Sequence, residues 1–76
     1  MLEDGFEAKV TRVVNSKVDD CIYAVLSNRN NLWLDEGTHV SPGDTVIVSN
    51  ARWKRGKRNK YVIGNVRVIR KPNFGF

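Results

Sequence analysis

Six cations fall within nine consecutive residues: Arg52, Lys54, Arg55, Lys57, Arg58 and Lys60, interrupted by Trp53, Gly56 and Asn59. Guanidinium forks hold phosphate oxygens through parallel hydrogen bonds, and ammonium groups act on the same oxygens as point charges. Several such contacts to a polyanion release condensed counterions, which gives an affinity that falls steeply with salt. Trp53 and Tyr61 flank the run, and Trp33 stands between Leu32 and Leu34. Unpaired bases expose π-faces to rings of this kind, and each stacked base contributes about 1–3 kcal/mol. Phosphate binding combined with stacking is the chemistry these residues offer. The competing account of the charge run is a solvated loop that binds nothing.

The distribution of charge favours the first account. All eight acidic residues lie between Glu3 and Asp44, whereas residues 45–76 hold nine Lys and Arg and no acid, so the net charge of +5 understates the asymmetry. A one-signed half is a concentrated positive field that attracts polyanions; solubility alone requires only scattered charge. An anionic membrane surface is a poor fit, because the basic run lacks the amphipathic-helix pattern that inserts apolar side chains.

Other chemistries find little support. His39 has no Cys or second His at a metal-ligand spacing, which argues against zinc. Asp19-Asp20 and Asp35-Glu36 are acidic pairs in turn-like stretches, with no clustered partner and no Gly-rich phosphate loop. No catalytic constellation and no cofactor are implied. Cys21 is the single cysteine, so no internal disulfide forms, and its apolar surroundings suggest a buried structural thiol. No stretch approaches the roughly 20 apolar residues of a membrane span. The start, Met1-Leu2-Glu3-Asp4-Gly5, is acidic where a signal peptide would be basic, so a cytoplasmic, monomeric protein is expected.

With 76 residues the chain suffices for one hydrophobic core, and a single domain over 1–76 is expected, with a short tail at 71–76. The apolar pattern is strand-like throughout. Phe6, Ala8 and Val10 alternate with polar neighbours until Val13 and Val14 break the period, which places a bulge near Thr11-Arg12. Residues 21–26 form a second strand, Leu32-Trp33-Leu34 a short third one, and between them an Asn-rich stretch, 27–31, supplies a hairpin turn. Turns at 35–38 and at Val40-Ser41-Pro42-Gly43-Asp44 leave no room for more than one helical turn. A fourth strand opens at Thr45 and runs toward Trp53. Tyr61 to Ile69 is a fifth, with Val62, Val66 and Val68 on one face. The tail Lys71-Pro72-Asn73-Phe74-Gly75-Phe76 either frays or tucks an aromatic back onto the barrel.

Side-chain parity then positions the candidate site. If Leu32 and Leu34 fill a core, Trp33 points outward as a stacking platform. Trp53 and Tyr61 are expected to face each other across the basic tip, and Gly56 lets that tip bend toward a ligand backbone. Tyr23, which alternates with Ile22 and Ala24, either shares the face of Trp33 or, as the leading expectation, sits in the core. Arg29, in the turn after the second strand, and Arg67, opposite in parity to Val66 and Val68, are expected to add charge to the same groove.

Five short strands without a helix predict an all-β fold. A small five-stranded Greek-key barrel of the OB-fold type leads, and an SH3-like barrel, which differs in strand order, is the alternative. The opening strand Lys9-Val10-Thr11-Arg12-Val13-Val14, the strand from Cys21 to Leu26, and Gly43-Asp44 before the alternating Thr45-Val46-Ile47-Val48 carry a family resemblance. They resemble the OB-folds of bacterial translation initiation factor one and of the RNA-binding repeats in the largest small-subunit ribosomal protein. That resemblance spans roughly residues 6–70 and implies nucleic-acid binding. It departs from the pattern in a shorter segment between strands three and four and a longer, more basic final hairpin.

The expected function is therefore a binding module for single-stranded or structured RNA, or single-stranded DNA, with low sequence specificity, in a translation or transcription setting. The alternative is a protein-interaction module whose basic hairpin docks on an acidic surface of RNA polymerase or the ribosome, since acidic patches also reward Arg.

Overall fold

The computed structural model describes residues 5–69, which form five strands: β1 (Gly5–Ser16), β2 (Cys21–Leu26), β3 (Asn31–Leu34), β4 (Thr45–Arg55) and β5 (Lys60–Ile69). The tail at 71–76 lies outside the described residues. The strands close into a barrel in the order β1-β2-β3-β5-β4, with β4 returning to β1. Every pairing is antiparallel except β3 with β5. This is the Greek-key order of the OB-fold, and it removes the SH3-like alternative.

Closure depends on one strand serving two neighbours. Gly5 to Lys9 pair with β4, while Val10 to Ser16 pair with β2. The register shifts between Val10 and Arg12, where a bulge bends β1 from one partner to the other. The expected bulge is present, and Thr11 donates its hydroxyl to the Val25 carbonyl at 2.8 Å.

The interior follows the period of two. Ala8, Val10, Ala24, Leu26, Leu32, Leu34, Val46, Val48 and Val62 make one aliphatic core, and Val66 and Val68 pack against it as expected. No charged side chain is buried among the described residues. Ile22 shares the parity of Ala24 yet is 48% exposed, although its β3 partner Leu34 is buried.

Two turns join β3 to β4 without a helix. Thr38 donates its amide to the Asp35 carbonyl at 2.9 Å. Asp44 donates to the Ser41 carbonyl at 3.0 Å, its carboxylate accepts from the Ser41 amide, and Gly43 takes φ 96°. Pro at the second position and a left-handed Gly at the third form the type II turn that Pro-Gly encodes. In the β2–β3 turn, Arg29 takes the left-handed conformation (φ 70°), although the flanking Asn residues tolerate it better. Asn28 acts instead through its side chain, whose Oδ1 accepts from the Asn30 amide at 3.1 Å.

A second bulge, in β4, decides where the cations point. Ser49 pairs with Asn65 and Arg52 with Ile63, so Asn50 and Ala51 together oppose Gly64. Asn50 sits at φ 54°. A Cβ on Gly64 would come within 2.6 Å of the Ser49 carbonyl oxygen, so only glycine fits opposite the bulge. The inward parity passes from Val46 and Val48 to Ala51, which packs on the core. Without this extra residue Arg52 and Lys54 would point inward; with it they face out.

Candidate nucleic-acid interface

The outer face of β2, β3 and β5 carries an aromatic cluster. Tyr23 pairs with Trp33 across β2 and β3, and Tyr61 lies one residue before Val62, the β5 partner of Leu32. Because Leu32, Ala24 and Val62 face the interior, these three aromatics face away from it. Tyr61 packs edge-on against Tyr23 and Trp33, each at 5.2 Å between ring centres. Parity thus places Trp33 outside as expected. Tyr23, expected in the core, belongs to this outer cluster instead, because Ala24 and Leu26 take the inward positions of β2.

Tyr61 is the base of the cluster and not its surface. It is 0% exposed, covered by the two neighbouring rings and by the turns at the barrel end, so no base can stack on it. Its hydroxyl donates to Asp19, in the β1–β2 turn, at 2.5 Å. The same carboxylate accepts from the Lys57 amide in the β4–β5 turn. Asp19 therefore clasps the basic tip to the barrel. The Tyr61 hydroxyl and the Lys57 amide hold the Asp19 carboxyl below its ordinary range. Burial, followed by the hydrogen bond to that carboxylate, pushes the Tyr61 phenol up to about 12.

Gly56 serves this clasp rather than bending the tip. A Cβ there would lie 2.5 Å from the Tyr61 ring and 2.6 Å from an Asp19 carboxylate oxygen. Its amide bonds the Asn59 carbonyl at 2.8 Å and closes the turn. Cys21 is buried with a free thiol, as expected, and burial pushes that thiol up.

The cations divide between two faces of the β4–β5 ribbon. Arg52 and Lys54 pair with Ile63 and Tyr61 and share the outer face with Trp33, whose ring carries the Lys54 ammonium at 4.7 Å from its centre. A groove lined by Trp33, Asp35, Arg52, Lys54, Ile63 and Asn65 crosses β3, β5 and β4 there. A second hollow, between Val18, Asp19, Trp33, Lys54 and Lys57, continues it to the tip. Trp33 borders both.

Arg55 pairs with Lys60 on the opposite face, together with Trp53, which pairs with Val62. Trp53 therefore does not face Tyr61: the β4 bulge has set the two on opposite sides. Trp53 is 42% exposed, with the Lys60 ammonium 4.1 Å from its ring centre. Lys57 and Arg58 are exposed at the tip.

Arg29 and Arg67 do not join the groove. Arg29 occupies the β2–β3 turn, at the end of β2 away from the β1–β2 turn that carries Asp19. Arg67 pairs with Ile47 near the start of β4, four residues and about 13 Å along β5 from Ile63. Topology, which parity does not report, separates both from the tip.

Asp19 is the site residue that sequence reasoning passed over, whereas Tyr23 was weighed for this face and assigned to the core. Asp19 is 42 residues from Tyr61, and its only local signal was an acidic pair in a turn. Among the described residues no group of three or more His, Cys, Asp and Glu is placed to hold a metal ion, and no helix is long and apolar enough to cross a membrane. No protein-family model, no curated protein and no solved structure matches the chain.

Proposed function

We propose that this chain is a nucleic-acid-binding module that holds a single strand of RNA or DNA along the groove between Trp33 and the Arg52–Lys54 side of the ribbon. The observation that carries this is the β4 bulge, which turns Arg52 and Lys54 onto the face where Trp33 stands. A ring beside two cations suits a base and its flanking phosphates. The OB-fold provides the same face, with its first and last hairpin loops, for oligonucleotides in general. Contacts of these types are indifferent to base identity, so sequence specificity is low.

A fluorescence titration with single-stranded RNA, single-stranded DNA and duplex, at two salt concentrations, tests the proposal. Binding should quench tryptophan emission and weaken steeply with salt. Trp33→Ala should weaken single strands more than duplex, and Arg52→Glu with Lys54→Glu should abolish single-strand binding. No binding near physiological salt would sink the proposal and leave an acidic protein surface, such as one on RNA polymerase or the ribosome, as the partner.

A further inference from the structure

The inward rows of β1 and β2 run on beyond the aliphatic core. Val13 pairs with Ala24, and Ile22 pairs with Leu34, so both share the inward side with two buried residues. Val13 is nevertheless 37% exposed and Ile22 48%. With Leu34 and Val40 they form the apolar wall of a hollow of about 620 Å³, large enough to admit a phenyl ring. The β3–β4 connection borders this hollow as two turns, not as a helix laid across it. Asp20, Asp35 and Glu36 stand on the rim, and among the described residues no Lys or Arg lines it. An apolar wall under an acidic rim suits a segment that carries both cations and apolar rings.

We propose that the occupant is this chain's own segment Arg70-Lys71-Pro72-Asn73-Phe74-Gly75-Phe76, which lies outside the described residues and holds two cations, two phenyl rings and no acid. Its rings dock against Val13 and Ile22, and its cations lie in the field of the acidic rim. Strand order puts the segment within reach. β5 runs parallel to β3, and Ile69 pairs with Thr45, where the connection from β3 arrives. The turn at Ser41–Asp44 is closed by a hydrogen bond, so Val40 lies within about 20 Å of Ile69. Seven residues beyond Ile69 reach about 24 Å when extended. A tethered segment needs no second body, because its effective concentration at the hollow is in the millimolar range, ~1 mM or above. The docking is independent of any nucleic acid.

Nuclear Overhauser contacts in the full chain test this. Ring protons of Phe74 or Phe76 should lie against the methyl groups of Val13 and Ile22. Cys21 also lines the hollow, so its reaction with a thiol reagent reports the cover. Phe74→Ser with Phe76→Ser should remove the ring contacts, speed that reaction about fivefold and lower Tm by about 4–8 °C. Asp35→Lys with Glu36→Lys should speed it less, and adding Arg70→Glu with Lys71→Glu should restore the protection. Two results overturn the docking: no ring-to-methyl contact in the parent, or a thiol rate and Tm that the serine changes leave where they were. Protection of Cys21 that grows with protein concentration would also overturn it, because the segment in the hollow would then belong to a second copy.

Discussion

Two side-chain clusters lie back to back on the same strands, each with a fully buried centre. Inside the barrel, Leu32 meets Val62 within the aliphatic core, against which Phe6 also packs. Outside, one residue along each strand, Trp33 meets Tyr61, and Tyr61 is as fully buried as Leu32. The interior is closed by the alternation of its own strands. The outer cluster is closed by Asp19 from one turn and by the tip from another. Burial inside supports the barrel alone, whereas burial outside also sets where the cationic tip stands. On the outer face, stability and site geometry are therefore coupled, and on the inner face they are separable.

Leu32→Ala is the largest test of that separation. It should cost about 2–5 kcal/mol in urea unfolding, while the protein that remains folded keeps its affinity and salt dependence. Tyr61→Phe keeps the ring and removes the hydroxyl, so its stability loss should be smaller. It should nonetheless speed hydrogen exchange at the Lys57 amide selectively, and Gly56→Ala should do likewise by crowding Asp19 and Tyr61. If Leu32→Ala speeds the Lys57 amide selectively to the same extent, the two clusters are one unit.

A pH series sharpens the contrast with the smallest effect. The Asp19 carboxyl is lowered in the fold from its ordinary 3.8, so its contribution is complete above that value and fades as pH falls through the folded value. Tyr61 is raised from 10.0 to about 12, so its contribution is complete below pH 10 and fades as pH climbs toward 12. Protection of the Lys57 amide should follow both limbs, and Asp19→Asn should flatten the acid limb. An unchanged acid limb in that variant would show that Asp19 is not the clasp.

Much of the barrel was legible along the chain. Strand limits, the bend at Thr11, the Pro42-Gly43 turn and the outward Trp33 all follow from the period of two and from turn chemistry, which act over a few residues. The β4 bulge was not legible, because Ser49-Asn50-Ala51 reads equally well as ordinary strand until Gly64 is set opposite it. Tyr61 looked like a surface ring for a related reason: the residues that cover it, Asp19, Tyr23 and Trp33, come from other strands and turns.

By itself, then, the sequence determined that there would be five strands, an aliphatic interior and a strongly basic final hairpin, since neighbouring side chains and local backbone preferences decide those. Tertiary structure decided that Arg52 and Lys54 share a face with Trp33, that Trp53 and Tyr61 are parted, that Arg29 and Arg67 lie at the far end, and that an acid holds the basic tip. Each depends on strand register or on a contact between distant segments, and a one-residue slip in pairing turns every following side chain to the other face.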